Sequence, residues 1–150
     1  DKYYALVVGS NVLGGGPHSK LFVNVREKES LCYYIFSSIE KYKSIMFISS
    51  GIETKDYDKA VELIKKQVES VKAGDISDEE LENSKLALVN SMKSITDNIG
   101  GMSDFVFSQS MAKTNSEVQD IISSIEKVTK KDIVEAIKNI ELDTVYFLRN

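Results

Sequence analysis

Two strand-like runs joined by four polar residues constrain the fold of this chain more than any other feature of its sequence. Leu31 to Ile39 is rich in β-branched and aromatic residues and has apolar side chains on both of its alternating faces. Ser44 to Ile52 is similar, and the connection Glu40 to Lys43 is short and polar. A strand without a polar face is usually central in its sheet. We therefore predict an antiparallel hairpin at the centre of a sheet, covered on both sides.

The sequence suggests two further strands and a short helix beside this hairpin. Tyr3 to Gly9 is a short apolar run that ends in a loop signal, which is typical of a strand. A flexible glycine-rich loop, Leu13 to Ser19, is predicted next, and a helix from about Pro17 to Glu29 overlaps its end. Asp143 to Arg149 is predicted as the closing strand.

The rest of the chain carries helical spacing and several boundary signals. An amphipathic helix is predicted to end at Gly74, and the next to begin with a capping box at Ser77. Asn98 to Gly101 should break that helix, and two more helices should start at a capping box from Ser116 to Gln119 and at Thr129. The fold class that follows is α+β, with a mostly antiparallel sheet packed against helices. We expect residues 1–150 to form one domain.

Composition excludes several functions. A net charge of −4 with interspersed signs gives no basic stripe for nucleic acid, and the apolar runs are too short for a membrane span. The single cysteine, Cys32, permits no internal disulfide and is expected to be a buried small hydrophobe. No signal-peptide pattern opens the sequence, and Asp1 stands directly ahead of a strand-like run, so we expect a domain excised from a longer protein. The lone cysteine fits a cytoplasmic location, which we take as the expectation.

The chain lacks the residues for metal or nucleophilic catalysis. Catalytic zinc needs about three protein ligands, whereas His18 is the only histidine and should be solvated in its loop. Neither H-E-x-x-H nor H-x-x-E-H occurs, and Cys32 has only His18 as a base. Gly14 to Gly16 lacks the G-K-[ST] ending of a phosphate loop. No metal or cofactor is expected on this chain.

Arg26 and Tyr33 are the remaining candidates, seven residues apart at a helix end and in the strand behind it. From the residues alone the structural interpretation is favoured. An arginine near a helix end often complements the helix dipole, and a tyrosine in a strand is more often core than catalytic.

The segment that carries both residues resembles a known family. Leu13 to Ser37 combines a glycine-rich turn, Ser19-Lys-Leu-Phe22, and the pattern V-R-E-K-x-x-L-x-Y-x-I-x-S. It is similar to the Arg/Tyr segment in the carboxy-terminal half-domain of the M16 zinc metallopeptidases, the pitrilysin and mitochondrial processing peptidase family. The later helices resemble the family in layout only. Cys32 departs from it, because many members have glycine or alanine there.

The resemblance implies roles and partners. Arg26 would hold a substrate carbonyl or carboxylate, and Tyr33 would donate its hydroxyl to the oxyanion formed at the attacked peptide bond. Tyr34 would face the other side of the strand as a core residue. The zinc is expected on another M16 domain or subunit, which would be the partner together with a peptide substrate. The isolated chain would be inactive as an enzyme.

Two other functions stay open. Some M16 relatives are non-catalytic structural or substrate-presenting subunits, and an H-x-x-E-H motif upstream of this sequence would argue against that role. The other alternative is an unrelated α+β binding module in which the spacing of Arg26 and Tyr33 is accidental.

Overall fold

A computed structural model describes residues 2–149 and gives an α+β fold. Within those residues, two strands form one antiparallel sheet and helices make up most of the rest. The elements, in chain order, are α1 Lys2–Gly14, a π-helical segment Phe22–Glu27, β1 Cys32–Glu40, β2 Ile45–Ile52, a 3-10 turn Thr54–Asp56, α2 Tyr57–Lys72, α3 Asp78–Thr96, α4 Ile99–Met111, α5 Val118–Glu126 and α6 Lys130–Ile137.

Helix α1 is the centre of the molecule and corrects the first prediction, because Tyr3 to Gly9 is helical and not a strand. It packs against β1 on one side and against α3 and α6 on the other. Val8 and Val12 are fully buried and Leu13 almost so. A helix surrounded in this way is apolar all round and shows no 3.6-residue stripe, so its sequence looks like a strand.

The segment after α1 differs in detail from the prediction. Helix α1 extends through Gly14 into the expected loop, and helical structure resumes at Lys20 instead of Pro17. A Cβ on Gly14 would lie 2.6 Å from the backbone nitrogen of Ser37. Glycine is needed there because α1 crosses β1 at this closest approach.

The hairpin forms as predicted, but its outer face is uncovered within residues 2–149. Ile35 and its neighbours on the inner face pack on α1, and Ser37 Oγ donates to the Ser10 carbonyl oxygen over 2.6 Å. The outer face exposes four large apolar side chains: Tyr34, Phe36, Ile45 and Phe47. The prediction that the hairpin is central in its sheet is therefore wrong for residues 2–149, which form a sheet of these two strands alone. Cover of the outer face by a partner or by another part of the protein stays a prediction.

The helix boundaries follow the capping chemistry. Helix α2 ends just before Gly74, whose φ of +82° suits glycine. Ser77 begins α3 with a complete capping box, and Thr129 does the same for α6. Asn98 separates α3 from α4 and caps α4. The box expected at Ser116 is displaced by one residue, to Glu117 and Asp120.

Asp143 to Arg149 has no regular secondary structure and is not paired as a strand with any of residues 2–149, contrary to the prediction. The Phe147 ring lies 4.4 Å from that of Tyr57, which attaches the segment to the start of α2. None of the helices in residues 2–149 combines the length and apolar character that crossing a membrane requires.

Candidate functional site

Arg26 lies in the last turn of the π-helical segment. The amide of Lys28 donates to the Val23 carbonyl over 3.0 Å, a spacing of five residues that widens the helix. Such π-helical turns are rare and frequently occur at functional sites. The predicted residue therefore lies on an irregular piece of helix, which presents its side chain to solvent.

A tight turn brings the start of β1 back against this segment. Ser30 has a φ of +53°, and its amide donates to the Arg26 carbonyl over 3.1 Å. The Leu31 amide donates to the Val25 carbonyl over 3.3 Å. Val25 and Leu31 are both buried and anchor the turn in the core. The backbone around Arg26 and the first residues of β1 are thereby held side by side.

Tyr33 is the extra residue of a β-bulge. Cys32 pairs with Ile52 and Tyr34 pairs with Gly51, so Tyr33 has no partner across the hairpin. Bulges redirect side chains and are common next to active sites. The Tyr33 side chain is 69% exposed, which contradicts the interpretation from residue type alone that it belongs to the core.

The hydroxyl of Tyr33 contacts a carboxylate that the sequence did not reveal. It donates to Oε1 of Glu53 over 3.3 Å, just beyond the end of β2. Lys55 Nζ lies 2.8 Å from Oε2 of the same carboxylate. The pKa of Glu53 is held below its ordinary value, first by the hydrogen bond from Lys55, then by the charge of Lys55 and the bond from Tyr33. A lone glutamate after a strand carries no motif, so only the folded hairpin identifies it.

The Arg26 guanidinium stands over an aromatic ring. Its Cζ lies 4.7 Å from the centroid of Phe22, a cation–π arrangement. Around it, helix α2 braces the segment through two contacts. Asn24 Nδ2 donates to Oε1 of Gln67 over 2.8 Å, and Lys59 Nζ lies 2.6 Å from Oε2 of Glu29. The backbone that carries Arg26 is thus held from two directions, while its donors face solvent.

Tyr34 is not the core residue that was expected. It is 49% exposed and its ring stacks on Phe36, with 6.2 Å between centroids. The ring lies across Gly51, where a Cβ would come within 2.5 Å of the Tyr34 Cε1 atom. The glycine opposite Tyr34 therefore lets an aromatic surface extend along the hairpin from the Tyr33 bulge.

The remaining candidates have structural surroundings. His18 is half-buried instead of solvated, and its Nε2 lies 3.1 Å from Oδ1 of Asn11. Burial lowers the pKa of His18 below its ordinary value. Cys32 is half-buried against the core. Residues 2–149 hold no group of three or more His, Cys, Asp or Glu side chains placed for a metal, so this part of the chain does not fit zinc.

The chemistry available at this end of the hairpin is therefore hydrogen-bond donation. Arg26 offers a fork of fixed N–H donors that matches a carbonyl or carboxylate oxygen. Tyr33 offers one O–H, and Glu53 with Lys55 sets the charge beside it. Both donors stand on solvent-facing irregularities of the backbone, which suits contact with an extended ligand.

Comparison with known proteins identifies the family. Residues 1–88 match the family described as the peptidase M16 inactive domain. The chain belongs to the M16 peptidase family. This confirms the family suggested by the resemblance, and the matched residues include Arg26, Tyr33 and Glu53, whose roles stay predictions.

Relatives of this M16 domain agree in sequence and fold. It is 42% identical over 147 residues to a Bacillus subtilis (strain 168) protein named "Probable inactive metalloprotease YmfF", covering 98% of this chain and 34% of that protein. The chain thus spans about a third of that curated relative. A conserved protein from Enterococcus faecalis V583 superimposes with a TM-score of 0.84 at 36% identity, over 92% of this chain and 33% of that one.

A more distant structure supports the fold alone. The peptidase M16 inactive domain from Pseudomonas fluorescens superimposes with a TM-score of 0.78 at 21% identity, over 91% of this chain and 34% of that one. The α+β class with an antiparallel sheet on helices is therefore confirmed for this M16 domain.

Proposed function

We propose that this M16 domain supplies substrate-binding and oxyanion-stabilising contacts to a zinc site carried by another M16 domain or subunit. The observation that carries the proposal is the exposure of Arg26 and Tyr33 on two backbone irregularities at one end of the hairpin. The zinc would supply Lewis-acid activation of the peptide bond. This chain would supply donors, and its substrate would be a peptide.

Arg26 binds a carbonyl or carboxylate oxygen of the peptide through charge-assisted hydrogen bonds. Its π-helical backbone is braced by Asn24 and by the Glu29–Lys59 pair, so the backbone that carries the guanidinium is in place before a peptide binds. Tyr33 donates its hydroxyl proton to the oxygen that gains negative charge when the peptide bond is attacked. Both roles require accessible donors, which the two exposed side chains provide.

The test is peptide cleavage by the full-length protein together with its zinc-bearing domain or subunit. Tyr33→Phe should lower kcat by roughly 10²–10³, the effect of losing one oxyanion donor. Arg26→Ala should raise KM and lower kcat, because a positioned charge affects binding and orientation. Tyr42→Phe and Lys41→Ala are matched controls at the opposite end of the hairpin, and both should cleave at the wild-type rate. Wild-type rates in all four variants would refute the proposal.

A second function uses the same surface without cleavage. The name of the Bacillus subtilis relative includes the word inactive, which favours a non-catalytic subunit, either structural or substrate-presenting. The substrate-presenting role is the one that would use this surface. In that case no peptide is cleaved, and Arg26→Ala should weaken peptide binding measured by fluorescence anisotropy while Lys41→Ala leaves it unchanged. Equal affinities of wild type and Arg26→Ala would exclude this second role as well.

A further inference from the structure

Glu53 is the only hydrogen-bond partner of the Tyr33 hydroxyl among residues 2–149, and the bond between them is long. The distance of 3.3 Å exceeds the usual range of about 2.5–3.0 Å for O–H···O bonds. Both side chains are exposed, so a peptide has access to the hydroxyl. The bulge at Tyr33 directs the phenol towards the end of β2, where Glu53 stands.

A phenol has a single proton to donate. While Tyr33 donates to Glu53, that proton is not available for a substrate oxygen. Glu53 is exposed and, like any exposed glutamate, is ionised at neutral pH, and Lys55 lowers the pKa of its carboxyl further. An ionised carboxylate accepts but cannot donate. The bond to Glu53 and the bond to a substrate therefore exclude each other.

Lys55 limits how strongly Glu53 competes. Its Nζ contacts the other carboxylate oxygen at 2.8 Å and compensates the negative charge. An uncompensated carboxylate beside Tyr33 would hold the hydroxyl proton more strongly and would repel the negative charge that develops on the substrate oxygen. The Glu53–Lys55 pair thus keeps the net charge beside the Tyr33 hydroxyl close to zero.

We propose that the Tyr33 hydroxyl donates its hydrogen bond to Glu53 when no substrate is bound, and that a substrate oxygen replaces Glu53 as the acceptor. Lys55 weakens Glu53 as an acceptor, so that this replacement is favourable. The inference rests on the proposed function of Tyr33. Glu53 is a positioning residue in this scheme, since it acts on the substrate through Tyr33.

The bond itself is tested in this chain without any cleavage. With tyrosine labelled by ¹³C at Cζ, the Tyr33→Phe variant assigns the Tyr33 resonance in an NMR spectrum. Glu53→Ala should shift that resonance and leave the other tyrosines in place, whereas Glu40→Ala, at the far end of the hairpin, should leave it unmoved. An unshifted Tyr33 resonance in Glu53→Ala would overturn the inference.

Kinetics test the competition in the full-length, zinc-loaded system. Glu53→Gln and Glu53→Ala should raise kcat/KM by about two- to tenfold, the scale of one hydrogen bond, with most of the change in kcat because Tyr33 acts on the oxygen that becomes negative in the transition state. Lys55→Met should lower kcat/KM, and Glu53→Gln with Lys55→Met should behave like Glu53→Gln alone, because Lys55 acts through Glu53. A fall in kcat for both Glu53 variants would overturn the inference, because it would show that Glu53 holds the Tyr33 ring in place and does not compete with the substrate.

Failure of this inference is distinguishable from failure of the proposed function. If Tyr33→Phe lowers kcat but the Glu53 variants change neither kcat/KM nor the Tyr33 resonance, only the acceptor role of Glu53 is wrong. If Tyr33→Phe cleaves at the wild-type rate, the proposed function is wrong and the competition for substrate falls with it, whatever the NMR spectrum shows.

Discussion

The helical body and the segment from Phe22 to Tyr34 are built in opposite ways. In the body, α1 is enclosed by β1, α3 and α6, and the helix boundaries carry ordinary capping residues. The segment instead combines a π-helical stretch, a residue with positive φ at Ser30 and a β-bulge. The side chains of Arg26 and Tyr33 are exposed to solvent there. We therefore expect substitutions in the body to reduce mainly stability, and substitutions of Arg26 and Tyr33 to reduce mainly the proposed function.

The largest effect on stability should come from removing a core side chain of the body. Ile133→Ala should lower the free energy of unfolding by about 2–5 kcal/mol, because Ile133 is fully buried and its loss leaves a cavity. Urea unfolding monitored by circular dichroism measures it. Ile99→Ala is the matched control, since Ile99 is 90% exposed, and it should stay within about 0.5 kcal/mol. Equal losses in the two variants would break the comparison.

A smaller loss is expected where the body meets the hairpin. Gly14→Ala should cost about 1–3 kcal/mol, because the new Cβ would lie 2.6 Å from the Ser37 backbone nitrogen and force α1 away from β1. Gly16→Ala, whose Cβ would meet nothing closer than 3.5 Å, serves as the control and should unfold like the wild type. A wild-type unfolding curve for Gly14→Ala would mean that α1 and β1 are not in close contact.

The capping residues should have the smallest measurable effect in the body. Ser77→Ala should lower the free energy of unfolding by about 1 kcal/mol, since the Ser77 hydroxyl accepts from the Glu80 amide. Ser116→Ala distinguishes the capping box expected from the sequence from the one in the structure. Because the box in the structure begins at Glu117, this variant should have no resolvable effect on the free energy of unfolding. A loss in Ser116→Ala as large as in Ser77→Ala would favour the boundary that the sequence suggested.

The same contrast explains what the sequence could predict. Helix ends in the body were predicted from local chemistry: Gly74 after α2, Ser77 before α3, Asn98 between α3 and α4, and Thr129 before α6. These signals depend only on neighbouring residues. Helix α1 was predicted as a strand because burial on every side removes the helical stripe from its sequence.

Strand pairing and the residues around Tyr33 could not be predicted from neighbouring residues in the sequence. The run Asp143–Arg149 has strand-like residues, but a strand needs a partner, which residues 2–149 do not provide. Arg26 and Tyr33 were predicted as site residues from the family resemblance, and their roles stay predictions. Glu53 was missed because its contact with Tyr33 depends on the bulge, and a bulge is a property of the register between two strands.

The central claim is that Tyr33 serves function and not folding. Its most direct test measures kcat for peptide cleavage and the free energy of unfolding on the same preparation of Tyr33→Phe, in the full-length, zinc-loaded system. We expect a kcat lower by roughly 10²–10³ with a free energy of unfolding within about 0.5 kcal/mol of wild type. A wild-type kcat, or a loss of activity that merely follows unfolding of the domain, would contradict it.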